Sequence, residues 1–162
     1  MKNQKSLTNK GFSLVELIIV VAIMAILIGV LAPQYLRYVE KSRLQKDNTS
    51  IGEIANVLKM TSSDEILITA IGDGVKLTFN SDGELLDAVL TGANGTASTV
   101  NDELKLTLGD PLSKVKLTSN TYKKNGFNVE ITATINSTTK IMEVKATNWV
   151  EPGATSTSEK IF

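Results

Sequence analysis

The chain has 162 residues, 17 Lys plus Arg balanced by 17 Asp plus Glu, and neither cysteine nor histidine. That length suits one domain with a tail or anchor, and the charge balance gives no global field for nucleic acid. The two missing residue types remove disulfides, thiolate and imidazole chemistry and the usual zinc ligands, so neither an enzyme nor a metal or cofactor site is expected.

Residues 1–11, MKNQKSLTNKG, hold Lys2, Lys5 and Lys10 and no acid, and read as a leader. From Phe12 to Ala32 only Ser13 and Glu16 are polar. As a helix this segment extends about 31 Å, close to the hydrocarbon thickness of a bilayer. A single membrane span is predicted; the alternative is a cleavable secretory signal ending at Val30-Leu31-Ala32. Lys2, Lys5 and Lys10 on one flank face Arg37, Lys41, Arg43 and Lys46 on the other, which leaves orientation open. Glu16 is the anomaly: an unpaired carboxylate in hydrocarbon costs about 2.5–3.5 kcal/mol on the mildest insertion scale, so it needs a partner or a task.

Pro33 removes the hydrogen bond to the Gly29 carbonyl, which predicts a kink or breakable turn between them. Beyond it, Leu36, Val39, Leu44, Ile51, Ile54, Ala55 and Leu58 recur at helical spacing. Glu40, Lys41, Arg43, Lys46, Asp47 and Glu53 fill the other faces, predicting an amphipathic helix to about Lys59. Thr61-Ser62-Ser63-Asp64 then ends the pattern.

After Met60 the composition turns to Thr, Ser, Asn, Gly and β-branched residues, favouring strands. Phe127, Val129, Ile131, Ala133 and Ile135 alternate with polar residues, Asn136-Ser137-Thr138-Thr139 turns the chain, and Ile141 to Thr147 returns: a hairpin. Val75–Phe79 and Lys114–Thr118 are further strand candidates, while 85–90 and 102–108 suit helix or strand equally. Asn80-Ser81-Asp82-Gly83-Glu84 lacks the first and last ligands of a calcium loop and reads as a turn. The glycosylation triplets at Asn48, Asn94 and Asn136 are expected by chance in so Thr- and Asn-rich a chain. Trp149 reads as a core plug, and the tail from Glu151 as a loose terminus unless Ile161 and Phe162 dock.

Gly11-Phe12-Ser13-Leu14-Val15-Glu16-Leu17, set between a basic leader and an unbroken apolar run, resembles the class III signal of type IV pilins. The resemblance covers Lys10 to about Tyr38, with Pro33, Tyr35 and Tyr38, and fades by Met60. It implies an α+β type IV pilin fold: leader 1–11, a long N-terminal helix 12–60 whose 12–32 part is membrane span and filament core, and a head 61–162 in which the helix packs on an antiparallel sheet. It implies that a prepilin peptidase cuts after Gly11 and methylates the new N-terminal Phe12, and that Gly29 to Pro33 loses helical structure on leaving the membrane. An assembly platform and motor ATPase would then polymerise the single-pass precursor with identical subunits into an extracellular pilus for adhesion, twitching motility or biofilm. A pseudopilin of a type II secretion or DNA-uptake system shares the same N-terminus and is the alternative. A membrane-anchored binding module or enzyme is a third reading, for which the chain lacks parts.

In physical terms, the amine of a processed Phe12 can meet Glu16 of a staggered neighbour and neutralise both in a dry core, fixing register; a plain anchor with Glu16 snorkelling to head groups is the simpler reading. Many members close the C-terminal loop with two cysteines. This chain has none, so packing or hydrogen bonding must hold Trp149 to Phe162. Cysteine-free heads, with this Lys, Asn and Ile usage, resemble those of Gram-positive, clostridial pilins.

Overall fold

Apolar residues fall on two different surfaces of one helix. The computed structural model describes residues 11–61, 68, 69, 71–91, 97–136, 138, 139, 141–152, 154 and 156–162. Helix α1 (Leu14–Thr61) is 48 residues long. By its contacts the chain divides into two units, one ending at Tyr38 and one running from Val39 to Phe162. In the first, the apolar side chains from Phe12 to Leu36 are exposed all round, and the most apolar 18-residue window has a mean hydropathy of 3.1 with none of it buried. A helix apolar on every face is one built for a non-aqueous neighbour.

In the second unit α1 becomes one-sided. Leu44, Ile51, Ile54, Ala55 and Leu58 are buried in a single cluster with the sheet residues Val75, Leu77, Ile131, Ala133, Val144 and Ala146. The sheet comprises β1 (Gly74–Thr78), β2 (Val89–Leu90), β3 (Glu130–Ile135), β4 (Met142–Trp149) and β5 (Ser158–Ile161) in the order β2-β1-β3-β4-β5. Every pairing is antiparallel. The long helix packed on this five-stranded antiparallel sheet is the predicted α+β architecture, consistent with the type IV pilin fold. Between β2 and β3 lie α2 (Ala97–Leu108), a 3-10 turn at Leu112–Lys114 and α3 (Asn120–Lys124).

The predicted hairpin is present, with Ile135 opposite Met142 and Glu130 opposite Thr147. Asn136 Oδ1 accepts the N–H groups of Thr138 and Thr139 at 2.9 and 3.1 Å and so builds the turn. β1 matches the expected strand within one residue. The ambiguous segments resolve oppositely: 102–108 is helix within α2, which buries Val100 and Leu104, while 85–90 supplies the short edge strand β2.

Two expectations need correction. Lys114–Thr118 is no sheet strand: Pro111 opens a 3-10 turn, and the residues after it bond to the loop at 83–85, Leu117 N–H to Gly83 O at 2.8 Å and Leu85 N–H to Val115 O at 2.9 Å. Gly83 (φ +79°) permits this approach, because a Cβ there would stand 2.7 Å from the Leu117 carbonyl oxygen. Nor is the C-terminal segment loose throughout. β5 pairs with β4, the Phe162 N–H donates to Val144 O at 3.0 Å, and the Phe162 ring meets Trp149 edge to face at 5.6 Å. A Cβ on Gly52 of α1 would lie 3.8 Å from that ring. Strand pairing and one aromatic pair therefore hold the cysteine-free end, and Trp149, 7% exposed, is the expected core plug.

Candidate functional site

Residues 11–13 precede the helix, and α1 starts at Leu14 rather than at Phe12. Ser13 stands just before the first helical residue and Glu16 three residues later, the spacing of a capping box. Glu16 Oε2 accepts the Ser13 N–H at 2.8 Å, and the Ser13 carbonyl accepts the Leu17 N–H at 3.2 Å. The carboxylate thus satisfies a donor near the helix start and puts negative charge in the first turn, where the helix dipole favours it. Sequence reasoning placed the Phe12 nitrogen and Glu16 four residues apart on one helix. The structure leaves that nitrogen off the helix, one residue from the N–H that Glu16 holds.

Phe12 is 92% exposed, and a Cβ on Gly11 would touch nothing within 4 Å. Among the described residues nothing therefore requires glycine at 11; a requirement would come from a protein approaching that peptide bond. Gly29 is equally open. Pro33 lies inside α1 with no break in the helical assignment, so the expected disruption takes the milder form of a Gly29 carbonyl without its usual donor. The leader, 1–10, lies outside the described residues.

A second polar arrangement sits in the unit from Val39 onward, and sequence reasoning missed it. Asp47 is fully buried. Its carboxylate accepts the Thr118 N–H at 2.9 Å, the Thr118 hydroxyl at 3.2 Å and the Ser119 N–H at 2.7 Å. Two turns earlier on that face of α1, Glu40 Oε1 accepts the Thr121 N–H and hydroxyl at 3.0 and 3.1 Å. Asn48 donates to Val150 O at 2.9 Å and accepts the Tyr122 hydroxyl at 2.7 Å, so the asparagine of that glycosylation triplet is buried and occupied. Burial pushes the Tyr122 phenol up to about 12. The signal was present: 40, 44, 47 and 51 run at steps of four, three and four, which places Glu40 and Asp47 on the stripe of Leu44 and Ile51. Of the remaining triplets, Asn136 serves its turn, and Asn94 lies outside the described residues. In the 80–84 turn, Asn80 Oδ1 accepts the N–H groups of Asp82 and Glu84, and Glu84 pairs with Lys116 at 3.1 Å.

Known proteins bear on the first of these arrangements. Residues 6–32 match the family model described as the prokaryotic N-terminal methylation motif. The chain is also similar in sequence to two fimbrial proteins. The type IV major fimbrial protein FimA of Dichelobacter nodosus is 35% identical over 57% of this chain and 52% of its own length. The fimbrial protein EcpC of Eikenella corrodens is 29% identical over 60% of this chain and 64% of its own length. The chain thus spans between about half and two thirds of these fimbrial relatives. No solved structure matches it. The motif spans Gly11, Phe12, Glu16 and Gly29 and stops one residue short of Pro33.

Proposed function

We propose that this chain is the precursor of a type IV pilus subunit: cut after Gly11, methylated at Phe12, held in the membrane by the apolar part of α1, and polymerised with identical subunits into a surface fibre. Its role in this reading is structural, not enzymatic. The observation that carries it is the methylation motif over 6–32 on a helix whose apolar residues are exposed on every face. Such a helix finds its partner in lipid before assembly and in other copies of itself afterwards. A repeated head-to-tail contact that does not close gives a helical filament. Both relatives are named as fimbrial proteins, which supports a pilus over a pseudopilin fibre.

In this account Glu16 has two successive tasks. Before assembly it caps its own helix at Ser13; in the fibre it faces the Phe12 amine of a neighbour. Gly29 and Pro33 supply the weakened turn at which α1 loosens on leaving the membrane. Prepilin peptidase, an assembly platform and a motor ATPase are the partners this life cycle needs, and the fibre serves adhesion, twitching or biofilm. The Gram-positive, clostridial affinity rests only on the cysteine-free head and on residue usage; the relatives found lend it nothing. Electron microscopy of cell-surface fibres with mass spectrometry of their main subunit tests the reading. Long fibres built of this chain are expected, and a chain found only unassembled in the membrane would overturn it.

A further inference from the structure

A cleft of about 290 Å³ opens between α1, the end of α2 and the 3-10 turn. Its size is that of the smallest ligand pockets, enough for one sugar ring. Lys46 of α1, Lys114 of the turn and Lys116 beyond it line the cleft together with Glu53. Lys116 is neutralised by Glu84 at 3.1 Å. Lys114 donates to the Asp110 carbonyl oxygen, a neutral partner, and among the described residues Lys46 forms no ion pair. Two lysines of the lining are therefore without a carboxylate partner among the described residues.

The rest of the lining narrows the chemistry. Ser50 and Thr107 offer hydroxyls, Glu53 an acceptor, and Leu108 and Val115 a small apolar wall. A bare inorganic anion has no use for that wall and is repelled by Glu53, while a purely apolar ligand would bury the lysines. A ring with one carboxylate, several hydroxyls and a C–H face uses all three kinds of group: lysines for the carboxylate, Glu53 and the hydroxyls for the sugar oxygens, Leu108 and Val115 for the carbons. We propose that this cleft binds an acidic sugar, the hexuronate unit of a surface polysaccharide. The site lies within the single chain, so it stands or falls independently of filament formation.

The test titrates glucuronate into the processed full-length chain in detergent micelles and follows the backbone amide resonances of the residues lining the cleft, with glucose and inorganic phosphate as parallel probes at constant ionic strength. Saturable shifts confined to the cleft are expected, with a dissociation constant on the order of 1 mM for a single sugar. Glucose and phosphate should each bind at least about tenfold more weakly. Lys46→Ala and Lys114→Ala should each weaken glucuronate at least about fivefold. Lys160→Ala, which removes an exposed pair with Glu151 elsewhere, should change nothing. Unchanged resonances away from the cleft will report that each variant is folded. No saturable shift, binding of glucose or phosphate as tight as glucuronate, or unaltered affinity in folded Lys46 and Lys114 variants would overturn the proposal.

Discussion

Asp47 and Tyr122 set the terms at the scale of single residues. Two amides and a hydroxyl converge on the buried Asp47 carboxylate, so removing it strands donors, the Ser119 N–H among them in the core. Asp47→Ala should destabilise the folded chain by about 2–4 kcal/mol, and Asp47→Asn, which keeps one acceptor, by less, both read by chemical denaturation in detergent. Tyr122 makes the second case through pH. Its phenol stays protonated to about 12 in the fold against 10.0 ordinarily, so between those values the unfolded chain binds fewer protons than the native one. The stability this supplies is full below about pH 10 and falls as pH rises through about 12, on the order of 2 kcal/mol in all. Tyr122→Phe should flatten that alkaline loss while costing about 1–2 kcal/mol at neutral pH through its bonds to Asn48 and Val150, and denaturation at neutral pH and near pH 11 separates the two effects. Neither role was legible as such. A charge on a helix reads by default as solvated, and only its position on the stripe of Leu44 and Ile51 says otherwise.

Elements that sit on strong periodicity were legible, and those defined by remote partners were not. The alternation from Phe127 to Ile135 burns one face into the core and gave β3 and its hairpin. Lys114–Thr118 shows the same alternation, yet its Val115 C=O and Leu117 N–H go to a loop some thirty residues away, about which local pattern is silent. β5 escaped because four residues rich in polar side chains become a strand only by lying beside β4. Phe162 locks that strand, and Trp149 is the only tryptophan, so its fluorescence reports on the contact. Phe162→Ala should cost about 1–3 kcal/mol and red-shift the Trp149 emission as water reaches the indole. In the proposed assembly the weak point of α1 is Gly29 to Pro33. Pro33→Ala restores the missing donor and should slow entry into fibres while leaving the denaturation midpoint of the unit from Val39 onward within about 0.5 kcal/mol; fibre growth and denaturation, measured on one variant, check both halves.

In the molecule as a whole, a helix that water cannot satisfy continues into a head that water can, and in the proposed function Glu16 governs how that helix docks. Glu16→Gln isolates that decision, because glutamine still serves the capping box at Ser13 and is cheaper in lipid. The variant should insert and be processed almost normally yet assemble poorly, since each docking step would bury an uncompensated Phe12 ammonium at a cost of about 3–5 kcal/mol. Fibre yield per processed subunit measures it, and wild-type yield from the variant alone would remove the pairing role. The N-terminal motif suggests the proposed life cycle from a few residues, whereas the head declared only its class. The proposed life cycle depends on where the mature chain begins. Intact-mass analysis of subunits purified from native cells measures that directly: the account predicts a chain starting at Phe12 and one methyl group heavier than its sequence, and a chain that starts at Met1, or is cut at Ala32, would contradict it.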